Sequence, residues 1–156
     1  MRLTTKGRYA VTAMLDLAFY SQEIPVTLAE IATRQTISLS YLEQLFARLR
    51  KANLVRGVRG PGGGYQLRKL PEQVSIAAII EAVNEPIDST KCGGEANCQH
   101  ESMCLTHDLW TGLSEHIHSY LSDITLADLL TQREQRQRSI ETGECIVTIQ
   151  KMQKQA

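Results

Sequence analysis

Four candidate ligands fall within one short stretch of this chain, and the backbone that brings them to a point constrains everything around it. The stretch reads Cys92-Gly-Gly-Glu-Ala-Asn-Cys98-Gln-His-Glu-Ser-Met-Cys104-Leu-Thr-His107. Five residues separate each cysteine from the next, and two separate the last from the histidine. Gly93 and Gly94 allow sharp turns, and Asn97 tolerates left-handed backbone. Three thiolates and an imidazole are soft-to-borderline donors, suited to iron–sulfur or to zinc. Common zinc modules pair cysteines two to four residues apart, which this run does not. Structural disulfides belong to oxidising compartments, and the opening Met-Arg-Leu-Thr-Thr-Lys has no signal-peptide core. Three evenly spaced cysteines in a polar, glycine-rich loop do not read as core residues. Metal binding is the expectation.

The longest purely apolar run, Ile76 to Ile80, is too short to span a bilayer. At 156 residues the chain suits one domain, or a small domain with an appendage. Its formal net charge of zero conceals a division. Residues 1–69 hold 11 Lys/Arg against 4 Asp/Glu, and residues 70–156 hold 6 against 13. A basic first half points to a polyanionic partner.

Along the chain, residues 6–21 place Ala10, Ala13, Met14, Leu17 and Ala18 on one helix face. Arg2, Lys6 and Arg8 stand at its start, where the helix dipole does not favour them; phosphates would, and so would solvent. After Pro25, Thr27-Leu-Ala-Glu30 matches a capping box opening a short helix over 28–34. Gln35 to Ile37 form a tight link. Ser38 or Ser40 then caps a third helix running to about Asn53, with Leu42, Leu45, Phe46 and Leu49 inward. This order is a helix-turn-helix.

The opposite face of the third helix carries Ser40, Glu43, Gln44, Ala47 and Lys51, flanked by Arg48 and Arg50. In a major groove Gln44 could pair with adenine and Glu43 could accept from cytosine N4. Ser40-x-x-Glu43 is also a possible capping box, which would give Glu43 a structural role instead. Leu54 to Arg59 and Tyr65 to Leu67 read as strands around Gly60-Pro-Gly-Gly-Gly64, a hairpin in the place of a wing. Arg59, at its tip, could enter a minor groove. A phosphate-cradling nucleotide loop would need a helix after the glycines, and here a strand follows.

Ser75 caps a further helix bearing Ile76, Ile79, Ile80 and Val83, which Pro86 is expected to end. Beyond the cysteines, Leu105, Leu109, Leu113, Ile117 and Leu121 recur every four residues, with Trp110 and Tyr120 beside them. So apolar a helix in a small protein calls for a partner, and a two-fold dimer seam of these seven residues is expected. Covering the chain's own core is the competing role. Thr125-Leu-Ala-Asp128 caps one last short helix, and residues 132–156, polar and without an apolar face, read as a mobile tail. Cys145 lies there as a free thiol, and His100, His116 and His118 read as ordinary polar histidines.

These residues carry a resemblance. Met1-Arg-Leu-Thr, Lys6 to Leu15, Ile37 to Phe46, Val58 to Tyr65 and the spacing from Cys92 to His107 with its following Leu-Trp all resemble the IscR family of bacterial iron–sulfur cluster regulators, over roughly residues 1–130. The resemblance implies a mainly α protein with a winged helix-turn-helix, a small β-hairpin wing, a cysteine-rich cluster loop and a long dimerisation helix. The implied divisions are 1–86 for DNA binding, 87–107 for the cluster, 104–131 for dimerisation and 132–156 for the tail. It implies a cytoplasmic, non-enzymatic homodimer holding one 2Fe–2S cluster per subunit on Cys92, Cys98, Cys104 and His107, with a cluster-assembly scaffold as donor and no membrane partner.

Its DNA partners would be double-stranded operators with two-fold related half-sites, met by Arg2, Ser38, Ser40, Tyr41, Glu43, Gln44, Arg50, Lys51, Arg59 and Gly60. Glu43 would help choose between two operator classes. The family represses cluster-assembly operons when loaded and acts at other promoters, as repressor or activator, with or without cluster. The chain departs from the family in its loop filling, Glu95, Ala96, His100 and Glu101, and in its tail. A sensor of thiol oxidation, zinc or nitric oxide, and an iron–sulfur electron carrier, are the alternatives of other classes.

Overall fold

The computed structural model describes residues 4–21, 24–84, 87–90, 92–99 and 102–141. Arg2, Pro86, His100, Glu101 and Cys145 lie outside them. Helix α1 (Thr5–Tyr20) starts where the Thr4 hydroxyl accepts the Lys6 N–H at 3.2 Å, and it buries Ala10, Ala13, Met14 and Leu17. Helix α2 (Leu28–Gln35) opens on both halves of the capping box. The Thr27 N–H donates to Glu30 Oε2 at 2.7 Å, and the Glu30 N–H donates to Thr27 Oγ1 at 3.3 Å. Left-handed Thr36 (φ 54°) turns the chain directly into α3 (Leu39–Lys51).

Leu42, Leu45, Phe46 and Leu49 of α3 are buried, as their spacing requires. The helix ends two residues before the expected Asn53, which instead takes φ 59° and leads into β1 (Val55–Val58). Strand β1 pairs antiparallel with β2 (Gly64–Leu67), Val55 opposite Leu67 and Val58 opposite Gly64. The hairpin is also tied to the start of α2. Val26 N–H donates to the Tyr65 carbonyl at 3.0 Å, and Tyr65 N–H returns to Val26 at 2.7 Å. A Cβ on Gly64 would lie 2.5 Å from the Val26 carbonyl oxygen, so only glycine permits that approach.

After a 3-10 turn at Pro71–Gln73 comes α4 (Ile76–Ala82), capped by Ser75, whose hydroxyl accepts the Ala78 N–H at 3.2 Å. This helix stops earlier than expected. Val83 is its C-cap and Asn84 is left-handed (φ 57°), so the turn precedes Pro86 and needs no proline. Helix α5 (His107–Asp123) packs on α4, and α6 (Leu126–Glu141) returns to α1. Among the described residues, no helix is long and apolar enough to cross a membrane.

Helix α6 corrects the expected tail over residues 132–141, while residues 142–156 lie outside the described ones. It continues ten residues past the expected end, to Glu141, because α1 gives it a surface to lie on. Leu126 is fully buried, Leu129 and Leu130 pack on the core, and the Arg133 guanidinium sits 3.8 Å over the Phe19 ring. The starts of α4 and α6 are stitched together. Ile76 N–H donates to the Ile124 carbonyl at 2.9 Å and Leu126 N–H to that of Val74 at 3.0 Å. The C-terminal helix thus belongs to the same core as the helix-turn-helix, with α5 and the cysteine loop as the excursion between them.

One buried charge orients the helix-turn-helix. Asp16, 3% exposed on α1, receives Arg34 through Nε at 3.0 Å and through a terminal guanidinium nitrogen at 2.6 Å, and Gln35 Nε2 at 2.6 Å. Arg34 also covers the Tyr20 ring at 4.1 Å. Four hydrogen bonds on one carboxylate fix α2 against α1. Asp16→Ala is expected to lower stability by about 1–3 kcal/mol, since Arg34 is partly exposed and can regain water. Urea denaturation followed by circular dichroism measures it, and an unchanged midpoint would refute this role.

Candidate functional site

The cysteine loop folds back on the first turn of α5. His107, the first residue of that helix, is buried, and its Nδ1 faces Cys92 Sγ at 3.5 Å and Cys98 Sγ at 3.4 Å. These three donor atoms lie within 4.8 Å of one another. A tetrahedral ion with sulfur at about 2.3 Å and nitrogen at about 2.0 Å has S···N edges of about 3.5 Å, so the donors fit a thiophilic metal. Cys104 stands just outside this group, on the Cys98 side. Its N–H donates to Cys98 Sγ at 3.4 Å, and its own Sγ lies 3.8 Å from Thr106 Oγ1. A cavity of about 350 Å³ opens there, lined by Cys98, Cys104, His107, Thr90, Thr106 and Trp110 among others.

The thiols are unequal. Burial pushes the Cys92 thiol up, but hydrogen bonds from Cys98, the Gly94 and Ala96 N–H groups and Thr90 outweigh it and bring its pKa down to about 7. Cys104 is also lowered, by Cys98 and by the Thr106 N–H and hydroxyl at the start of α5. For Cys98 the Cys104 N–H pulls downward, but burial and the neighbouring Cys104 and Cys92 thiols prevail and raise it. Cys98 is thus the thiol least disposed to ionise, between two neighbours shifted the other way. Thiolate is the metal-binding form.

Residues absent from the sequence expectations hold this loop to α5. Thr90 N–H donates to Asp88 Oδ1 at 2.6 Å and the Thr90 hydroxyl to Oδ2 at 3.0 Å, which holds the Asp88 carboxylate below its usual range. The same Thr90 oxygen accepts the Gly94 N–H at 2.8 Å. Ser114 Oγ accepts the Ser89 N–H at 2.8 Å and lies 3.4 Å from Asp88 Oδ1. Thr111 Oγ1 is 3.3 Å from His107 Nε2. Thr111 and Ser114 follow His107 by four and seven residues, the period of one helix face, which is the signal that could have found them.

The expected dimer residues divide. Leu105 precedes the helix and is fully exposed, and Leu109, Trp110, Leu113 and Tyr120 are exposed along it. Ile117 is half-buried, and Leu121 packs on the core of its own chain. Trp110 also serves the loop, its indole N–H donating to Thr106 Oγ1 at 3.2 Å.

Of the expected DNA contacts, Ser40, Glu43, Gln44, Arg50 and Lys51 are exposed on α3, and Arg59 and Gly60 are exposed at the hairpin tip. Ser38 is the N-cap, its hydroxyl accepting the Tyr41 N–H at 3.3 Å. Ser40 therefore does not cap, and Glu43 is released from the capping role that competed with base reading. Tyr41 is half-buried, edge-on to Tyr9 at 5.9 Å between ring centres. Two basic residues expected to face solvent or phosphate reach the end of α4 instead. Arg48 donates to the Val83 carbonyl at 2.8 Å and Lys6 to that of Asn84 at 3.4 Å.

The model of the Rrf2 family of iron-dependent transcriptional regulators matches residues 3–132. The chain belongs to the Rrf2 family. This Rrf2 chain is 60% identical over 134 residues to the HTH-type transcriptional regulator IscR of Erwinia tasmaniensis, covering 86% of this chain and 81% of that one. Among solved structures, IscR of T. potens has a TM-score of 0.73 at 39% identity, covering 88% of this chain and 91% of that one. CymR, the global cysteine regulator of B. subtilis, has a TM-score of 0.73 at 32% identity, covering 85% and 98%. The fold is that of Rrf2 regulators, with a helix-turn-helix and a wing, and the chain belongs to a family of transcriptional regulators.

In this Rrf2 chain, Ser114→Ala removes the acceptor of the Ser89 N–H. Loss of a hydrogen bond worth about 0.5–1.5 kcal/mol predicts amide exchange at Ser89 roughly 3–10-fold faster. Hydrogen exchange by NMR checks this, and unchanged protection would show that the loop is held by other contacts.

Proposed function

We propose that this Rrf2 regulator is a cytoplasmic homodimeric transcription factor that senses iron–sulfur cluster status. Cys92, Cys98, Cys104 and His107 would hold one 2Fe–2S cluster per subunit, received from a cluster-assembly scaffold. The single observation that carries the reading is the convergence of the Cys92 and Cys98 sulfurs on His107 Nδ1 at the first turn of α5. Cys104 beside Cys98, with the adjoining cavity of about 350 Å³, supports a group larger than one ion. When bound, the cluster supplies a centre whose occupancy follows iron supply and oxidant exposure.

The chain's own residues do the rest. Three thiolates and a neutral imidazole bring less negative charge than four thiolates and include one ligand that can be protonated, both of which favour release. His107 is at once a donor and the first residue of α5, so filling the site would brace the cysteine loop against that helix. The exposed stripe of Leu105, Leu109, Trp110, Leu113 and Tyr120 is the proposed seam, with Ile117 beside it and Leu121 turned toward its own chain. A brace at the seam biases how two recognition helices are spaced; a coupling of about 1–3 kcal/mol is typical of such switches.

At DNA, Ser40, Glu43 and Gln44 would read base edges, while Arg50, Lys51 and Ser38 position the helix on phosphates. Arg59 with Gly60 would enter the minor groove, Tyr41 would back the helix start, and Arg2 belongs to the same set. The loaded form would repress cluster-assembly operons, and other promoters would be bound with or without cluster.

Purified anaerobically, the protein is expected to be coloured and to contain iron and sulfide; a colourless protein with stoichiometric zinc would replace the cluster by a single-ion site. Arg59→Ala is expected to weaken operator binding about tenfold, for a lost contact of about 1–3 kcal/mol. A gel-shift titration with unchanged affinity would remove the wing from recognition. Chelating the iron should change affinity for one operator class, and affinity equal for every promoter before and after would leave a plain repressor.

A further inference from the structure

The two nitrogens of His107 keep different company. Nδ1 faces the sulfurs of Cys92 and Cys98, and Nε2 meets Thr111 Oγ1 at 3.3 Å. A neutral imidazole carries one N–H, and a nitrogen that ligates a metal must be bare. With Nδ1 turned to the sulfurs, the proton belongs on Nε2 and needs an acceptor in a buried place. We propose that Thr111 is a positioning residue whose Oγ1 accepts the Nε2–H of His107, holding the ring in the tautomer and rotation that present Nδ1 to the cysteines. The inference rests on the metal-centre reading.

Three observations converge on it. Thr111 follows His107 by one helical turn, so both side chains share a face of α5. Its β-branched side chain has few rotamers in a helix. Threonines elsewhere in this chain return their hydroxyl to the carbonyl four residues back, Thr33 to Ala29 and Thr131 to Ala127, each at 3.0 Å. Among the described residues Thr111 makes no such bond and meets the imidazole instead. The reverse polarity, Thr111 donating to a bare Nε2, would put a proton on Nδ1 between the ring and both sulfurs, where no metal could be held. The rest of the loop is anchored independently, through Ser114 and Asp88, so losing the Thr111 oxygen frees the ring without releasing the loop.

The test uses the full chain with Thr111→Val, which keeps the shape and removes the oxygen, and Thr111→Ser, which keeps the oxygen. In protein loaded with zinc alone, long-range proton–nitrogen NMR is expected to show a slowly exchanging Nε2–H of His107 in the wild type and in Thr111→Ser, and a fast-exchanging one in Thr111→Val. Cobalt(II) alone, read by quenching of Trp110 in competition with a chelator, is expected to bind Thr111→Val about 10–100-fold more weakly, with Thr111→Ser close to the wild type. Unchanged exchange of the Nε2–H and unchanged affinity in Thr111→Val would overturn the role of Thr111 while leaving the metal centre intact. A wild-type chain that takes up no cobalt would overturn the metal-centre reading and this inference with it.

Discussion

A buried imidazole at the first turn of α5 joins the two parts of this molecule that differ most. On one side of the His107 ring stand two sulfurs from a loop with little regular structure, and on the other a hydroxyl from the helix that displays the apolar stripe. Neither part makes sense alone. The loop between Cys92 and Cys104 is too short and polar to build a core, so it is ordered by its own hydrogen bonds and by what it can grip on α5. The helix has few neighbours to cover its apolar side within one chain. A donor group at their junction means that any ligand bound there acts on both at once.

The winged-helix body is organised differently, by burial. Met14, Leu17, Ile31, Leu42, Phe46 and Leu126 come from four helices and are fully buried, and the Asp16 carboxylate fixes α2 among them through Arg34 and Gln35. The body meets the cysteine loop at the end of α4. There Arg48 of the recognition helix and Lys6 of α1 bind the last carbonyls, where cations complement the helix dipole. Seven residues separate Asn84 from Cys92, so α3 touches the very segment that leads to the cysteine loop.

Much of the fold was legible because the signals were local. The Thr27–Glu30 box, the inward residues of α3 and the glycine-rich hairpin each depend on neighbours a few residues away. What misled was also local. Ser40-x-x-Glu43 has the form of a cap, yet Ser38 takes that role because Leu39 already begins the helix. The polar residues after Thr131 look like tail, yet the helix runs on to Glu141, and Arg133 meets Phe19 of α1, far away in sequence. Asp16 and Arg34 stand 18 residues apart, and only packing brings them together.

By itself the sequence determined which chemistry the chain can perform. Cysteine and histidine identity and spacing supply a set of soft donors, and apolar patterns name helices, a hairpin and the exposed polar face of α3, since these follow from side-chain type and from periods of two and 3.6 residues. Only the tertiary structure decided that Cys92 and Cys98 meet His107 on Nδ1, that Thr111 and Ser114 hold the ring and the loop, and that Leu121 faces inward while Leu109 does not. Those outcomes depend on how far-separated segments pack, and a rotation of one helix by a fraction of a turn would exchange them.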